Sequence, residues 1–414
     1  MRLEATRRLV RQRGSALEAG RWTAGTAGAP PTRGAVLHVS QVSEIGGLTH
    51  CLLDHLVHQR ALGWSVLLAC PPGELADRAG DAGVQVLAWE AARAPGRSTG
   101  GEVAALHGLV RSTAPDLLHL HCAKAGLAGR LAVRGGLPTV FSPHAWSWRA
   151  VEGAVRRQAL AWERFAVRWT DLVVCVSEAE RREGEDAGVR ARWEVVPNRV
   201  DLPAHALLRT RAAARSALGV PQHARVVVCV GRLCRQKGQD VLLDAWERLQ
   251  GAGLLVLVGG GPMEEEIVAR AAGLRGVRLV GVAPRHEALS WMTAADVVAL
   301  PSRWEGMSIA ALEARALQRP VVASDVVGMA EALEGAAATL VPPDDPAGLA
   351  RALSAALAAT GSADQPPGLS DPWGEPATLH GARRLSELYE DLLARRPAPR
   401  PRRSAARARA SAAT

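Results

Sequence analysis

The chain has 414 residues, 48% of them hydrophobic, which is too long for one ordinary core and calls for two domains. No run approaches 18 apolar residues, and the basic start Met1 to Arg13 lacks the apolar centre of a secretion signal. The net charge of +9 sits at the ends: residues 1–34 carry +5 and residues 395–414 carry +7, so the body is near −3.

A nucleic-acid enzyme needs its basic charge on the folded face with aromatics interleaved, so no nucleic-acid partner is expected. The Arg-, Ala- and Pro-rich ends read as disordered basic segments, an arm over 1–34 and a tail over 397–414. Their alternative use is peripheral contact with an anionic membrane, on the inner face of a cytoplasmic protein. Six cysteines lie scattered without a CxxC pair, which fits neither a disulfide framework nor a zinc site. Lys124 and Lys237 are the only lysines beside 48 arginines, which asks whether a compact ammonium is needed there.

The ordered part opens with a buried strand, Ala35 to Ser40, then Gly46-Gly47 and an amphipathic helix through Arg60. Strands follow at Val66 to Ala69, Val84 to Ala88, Asp116 to His121, Pro138 to Ser142, Leu172 to Val176 and Trp193 to Val196. Helices lie between them, one from Ala150 to Trp169 with Trp162, Phe165 and Trp169 at core spacing, another starting after the N-cap Ser177. A linker with one short helix covers 202–224. A second alternating half has strands at Arg225–Val230, Leu254–Val258, Val277–Val280, Val297–Leu300, Val321–Ala323 and Thr339–Val341. The helix Ala347 to Ala359, a loop over 361–376 and the helix Thr378 to Arg395 finish the fold. Strands alternating with helices predict parallel sheets covered on both faces, so the class is α/β with two Rossmann-like doubly wound domains. The domains read as 35–200 and 201–376, with a closing helix over 377–396.

Ligands of such sheets sit at the carboxyl ends of strands, and the candidate residues cluster there. Glu305 stands in the turn after Val297–Leu300, and Glu313 lies eight residues later inside a helix predicted to begin near Gly306. The amides around Gly306-Met307-Ser308 can hold an anion, with the carboxylates free to grip hydroxyls on either side. A solvated turn Glu and an exposed helix Glu give the same spacing. Arg232 and Lys237 follow Val230 and could converge on a diphosphate. Neither a Walker A loop nor a G-x-G-x-x-G fingerprint is present, which lowers the odds for an ATPase or a dinucleotide oxidoreductase. His144 follows the strand ending at Ser142, and His121 and Lys124 follow Leu120 at the same rim. A satisfied structural histidine is the competing reading of His144.

In chain order, Gly46-Gly47, Ser142-Pro143-His144-Ala145-Trp146, Val195-Val196-Pro197-Asn198, Gly231-Arg232-Leu233 with Lys237-Gly238, Glu305-Gly306 with Glu313, and Trp373 with Leu388-Tyr389 resemble the retaining glycosyltransferases of family GT4. The resemblance spans about residues 35–395 and implies the GT-B fold, two domains facing across a cleft. Arg199, Gln318 and Ala330 depart from the usual pattern in loop shape only. It implies that Arg232 and Lys237, helped by amides of Gly46, Gly47, Gly306, Met307 and Ser308, neutralise the diphosphate of a nucleotide-sugar donor. It further implies that Glu313 binds ribose, that Glu305 holds the sugar, and that His144 lies beside the reacting carbon. His121, Lys124 and Trp146 become acceptor-side candidates, facing a glycan or lipid-linked acceptor. No metal or other cofactor is expected. The expected activity is transfer of a hexose-type sugar in cell-surface polysaccharide or glycolipid assembly. A GT-B epimerase or phosphorylase, or a catalytically silent sugar-nucleotide binder, are the alternatives.

Overall fold

The computed structural model describes residues 33–44, 46–92, 94–202, 210–250, 253–359 and 377–395. The expected disordered ends (apart from residues 33 and 34), the loop with Trp373 and Ile45 lie outside the described residues.

Seven parallel strands form the first sheet: β1 (Ala35–Ser40), β2 (Ser65–Cys70), β3 (Gln85–Ala88), β4 (Leu117–His121), β5 (Thr139–Ser142), β6 (Leu172–Cys175) and β7 (Trp193–Val195). Their order is β3-β2-β1-β4-β5-β6-β7. The second sheet has six: β8 (Val226–Val230), β9 (Leu254–Val258), β10 (Val277–Gly281), β11 (Val297–Leu300), β12 (Val321–Ser324) and β13 (Ala338–Val341), in the order β10-β9-β8-β11-β12-β13. The helices are α1 (Gly47–Ala61), α2 (Glu74–Asp81), α3 (Thr99–Thr113), α4 (Cys122–Val133), α5 (Gly153–Ala166), α6 (Glu178–Asp186), α7 (Arg211–Leu218), α8 (Gln239–Arg248), α9 (Glu264–Ala272), α10 (Arg285–Ala294), α11 (Ile309–Ala316), α12 (Met329–Ala332), α13 (Pro346–Ala359) and α14 (Ala377–Arg395). No helix among the described residues is long and apolar enough to cross a membrane.

Alternation along the strands splits each sheet into two cores. Leu37, Val39, Leu118 and Leu120 pack toward Leu106 of α3 and Ala125 and Ala128 of α4. Val36 and Leu117 pack on the other face with Leu52 and Leu56 of α1. In the second sheet Val226 and Val228 meet α10, while Val227 and Cys229 meet α8 and α13.

The closing helix belongs to the first core. Leu385, Leu388, Tyr389 and Leu392 recur at helical spacing and are buried with Leu52 and Leu56. Asp201 fixes its start by accepting from the amides of Ala377 (2.7 Å) and Thr378 (3.1 Å).

Local differences from the expected elements have simple causes. α11 starts at Ile309 rather than near Gly306, because Ser308 is extended and its hydroxyl accepts from the Ala311 amide. Phe165 is not a core residue: it is 42% exposed, with the Arg168 guanidinium 3.9 Å from its ring centre. All six cysteines are free, five of them buried.

Candidate active site

The strand orders reverse direction between β1 and β4 and between β8 and β11. Those switch points are where doubly wound sheets leave a crevice. Gly46 and Gly47 follow β1, Arg232 and Lys237 follow β8, and Glu305 follows β11. The two crevices meet. A Cβ added to Gly47 would lie 2.9 Å from Cβ of Ile309, so the starts of α1 and α11 face each other from opposite domains. Both ends carry amides without helical partners and the positive end of a helix dipole.

Charged side chains ring this meeting point. Lys237 Nζ donates to Glu305 Oε1 at 2.5 Å, and the Ser302 hydroxyl donates to the same oxygen at 2.7 Å. Glu313 is largely buried in the first turns of α11 and accepts from Arg285 Nε at 2.8 Å. Arg232 is about one-third exposed, and its nearest acid is Glu44, across the cleft at 3.9 Å. Val282, 84% exposed at the end of β10, presents apolar surface beside Gly260. Sequence reasoning missed Val282 and Arg285; a lone valine in a loop carries no signal, and Arg285 is one of many arginines.

His144 enters from the first domain. Its φ is +52° and that of Ala145 is +92°, a strained pair for residues with side chains. Glu180 holds this bend, accepting from the Ala145 amide at 2.5 Å and from the Val176 amide at 2.8 Å. Burial pushes the Glu180 carboxyl up to about 7 against the pull of those amides. The motif Ser177-x-x-Glu180 was readable as a capping box, and Ser177 does cap α6. Its glutamate reaches the Ala145 amide, a contact that local spacing does not reveal. Ser177 Oγ also donates to the Gly306 carbonyl at 2.8 Å, and Asn198 Nδ2 to the Met307 carbonyl at 3.1 Å, tying the domains together around the α11 turn.

Behind His144 stands a row of imidazoles. His38, His119 and His121 lie on neighbouring strands at alternate positions and are buried. Burial pushes His38 down to about 3 and His119 and His121 well below the ordinary value, so all three are neutral. A cavity of about 10 Å³, room for one water, adjoins His55, Ser142, His144 and Asn198. A larger opening of about 370 Å³ lies between Arg149 and Ala179 of the first domain and Trp304, Asp325 and Gly328 of the second.

Three expected acceptor-side residues are corrected. Lys124 is 1% exposed and bonds Glu102 (2.6 Å), the Thr99 hydroxyl (2.9 Å) and the Ala94 carbonyl (3.1 Å), so its charge is used up inside the domain. Trp146 is buried against Trp148 with ring centres 4.5 Å apart, and its indole donates to the Glu180 carbonyl. His121 sits behind His144 and not at the rim.

Two family models match the chain: "Glycosyltransferase Family 4" over residues 45–203 and "Glycosyl transferases group 1" over residues 224–359, together more than half of its length. The chain belongs to this glycosyltransferase family. It is 32% identical over 227 residues to TuaC of Bacillus subtilis (strain 168), named for teichuronic acid biosynthesis, covering 53% of this chain and 55% of that protein. It is 35% identical over 249 residues to the D-inositol 3-phosphate glycosyltransferase of Kineococcus radiotolerans, covering 54% and 57%. The chain therefore spans little more than half the length of these curated relatives. Among solved structures, Alr3699/HepE of Anabaena in complex with UDP and glucose superposes with a TM-score of 0.64 at 21% identity, over 87% of this chain and 96% of that one. That likeness establishes the shared GT-B fold.

The geometry of the candidate site and its surroundings yields two predictions. Lys124→Ala strands the buried Glu102 carboxylate and is expected to cost about 3–5 kcal/mol in chemical denaturation, with nucleotide affinity unchanged. A loss below about 1 kcal/mol would show that the pair is not buried in solution. The three neutral histidines set an acid limit. Their folded values are depressed, so the unfolded chain binds more protons below about pH 6.5. Stability is full above that value and falls as pH drops toward 3, by up to ~4 kcal/mol per unit. Glu180, whose value is raised, acts in the opposite sense up to about 7, and one carboxyl does not offset three imidazoles. Denaturation midpoints measured between about pH 7.5 and 5.5 should fall steeply below 6.5, and a flat profile would contradict the neutral cluster.

Proposed function

We propose that this chain moves a hexose-type sugar from a nucleotide-diphosphate donor to a glycan or lipid-linked acceptor, with retention at the anomeric carbon. The observation that carries the reading is the meeting of the α1 and α11 starts beside Arg232 and Lys237, with Glu305 and Glu313 on either side. A diphosphate between the two helix starts would meet free amides, a guanidinium and an ammonium. Glu313 would take the ribose hydroxyls, and Val282 would offer an apolar face to the base. Glu305, freed from Lys237 as the ammonium turns to phosphate, would hold sugar hydroxyls near His144.

In this reading the bond from the anomeric carbon to the diphosphate oxygen breaks on the face where the acceptor waits. The acceptor hydroxyl forms the new bond on that same face and passes its proton to the departing diphosphate oxygen. Charge developing on that oxygen is stabilised by prearranged donors, usually the largest catalytic term. Arg232, Lys237 and the amides would be those donors, and the reaction is expected to need no metal. With Lys124 and Trp146 interior, the acceptor would approach through the opening beside Trp304 and Arg149. TuaC, named for teichuronic acid biosynthesis, supports a polysaccharide setting.

Thermal stabilisation by a panel of UDP- and GDP-sugars tests the donor. One member at about 100 times its Kd should add about 2.7 kcal/mol of stability. Lys237→Ala and Glu313→Ala should each weaken that response at least about tenfold in affinity. A response unchanged in both variants would remove these residues from the donor site.

A further inference from the structure

The imidazoles behind His144 are joined end to end. His144 Nε2 lies 3.1 Å from His121 Nδ1, His121 Nε2 lies 3.0 Å from His38 Nδ1, and His38 Nε2 lies 2.9 Å from Gln59 Oε1. The rings are nearly coplanar along this line. His38 and His121 are 14° apart with centres at 5.3 Å, and His121 and His144 are 27° apart at 5.4 Å. Two neutral imidazoles in line share one proton, so each donor fixes the next.

The chain has one direction, set at its far end. Gln59 Oε1 can only accept, so His38 carries its proton on Nε2 and presents a bare Nδ1. His121 must then donate from Nε2 and accept at Nδ1. His144 must donate from Nε2, which leaves its own Nδ1 without a proton. A second branch is compatible with this polarity. The Gln59 carboxamide also stands beside the Tyr389 hydroxyl, which bonds His119 Nδ1, while His119 Nε2 pairs with the Ser142 hydroxyl at 2.9 Å. With Tyr389 donating to His119, every ring nitrogen named except His144 Nδ1 has a matched partner.

We propose that Gln59, His38 and His121 are positioning residues that lock His144 as the Nε2–H tautomer and present its unprotonated Nδ1 as a hydrogen-bond acceptor at the cleft. Burial keeps the chain neutral, which the polarity requires, since a second proton would set N–H against N–H. The consequence for sugar binding rests on the donor reading above: a bare Nδ1 would accept from a hydroxyl of the transferred sugar. A metal cage is the other use of such a cluster, since His38, His119 and His121 offer ligand atoms within 4.8 Å of one another. The geometry favours hydrogen bonds. Both nitrogens of His119 are taken by Tyr389 and Ser142, and its ring lies over His121 with centres 4.1 Å apart, so it does not point into the gap between His38 and His121.

The test is nitrogen NMR of the full chain labelled with ¹⁵N-histidine, without substrate, His144 being assigned by its loss in His144→Gln. The wild type should show His144 with a pyrrole-type Nε2 and a pyridine-type Nδ1. His121→Phe keeps a ring but removes both nitrogens, and it should leave His144 as a mixture of tautomers. Gln59→Leu, at the far end of the line, should do the same to a smaller extent and guards against a misfolded first variant. Turnover with the donor found in the screen should fall on the order of tenfold in kcat with little change in KM in both variants. An Nδ1–H tautomer in the wild type, or a tautomer unmoved in both variants, overturns the proposal. Stoichiometric metal whose removal shifts the His38 and His121 signals also overturns it, in favour of a cage. The spectrum needs no donor, so it decides the relay even if the nucleotide-sugar screen fails.

Discussion

The two domains can meet as they do because glycine stands at the points of closest approach. A Cβ on Gly306 would lie 2.9 Å from the Ala145 amide and 3.0 Å from the Glu180 carboxylate. A Cβ on Gly47 would strike Ile309 in the same way. These contacts decide how near the α11 start comes to the α1 start and to His144. Ser177 and Asn198 secure the approach with bonds to the Gly306 and Met307 carbonyls. The site is therefore a property of the interface and does not exist in either sheet alone.

The same electrostatic rule appears twice in the structure. Glu331 of α12 places its carboxylate on the start of α6 and accepts from the amides of Glu178 (2.8 Å) and Ala179 (2.7 Å). That contact joins the domains and shows a helix start in this cleft already binding an anion. At the α1 and α11 starts the nearby positive groups are Arg232 and Lys237. The Lys237–Glu305 pair keeps the ammonium and the carboxylate partnered within the fold.

Much of this was legible in the sequence, since short apolar runs alternate with amphipathic segments and each set reads as one sheet. Leu254–Val258 and Val297–Leu300 fall where expected to the residue, whereas the strand orders, and with them the switch points, are set by the fold. What could not be read is the partner of each charge. The two lysines, singled out by their scarcity, both sit in ion pairs within the fold. Lys237 pairs with Glu305 after β11, while Lys124 satisfies three acceptors within the first domain. The histidine row was half visible. His119 and His121 alternate along a buried strand and must share a face, but Gln59, His38 and Tyr389 are supplied from other elements that only the fold brings near.

A crystal structure with the nucleoside diphosphate of the stabilising donor tests the central claim most directly. The account predicts the diphosphate between the amides at the starts of α1 and α11, with Arg232 against it and Lys237 turned from Glu305 onto a phosphate oxygen. Phosphates bound away from these two helix starts, with the Lys237–Glu305 pair undisturbed, would contradict it.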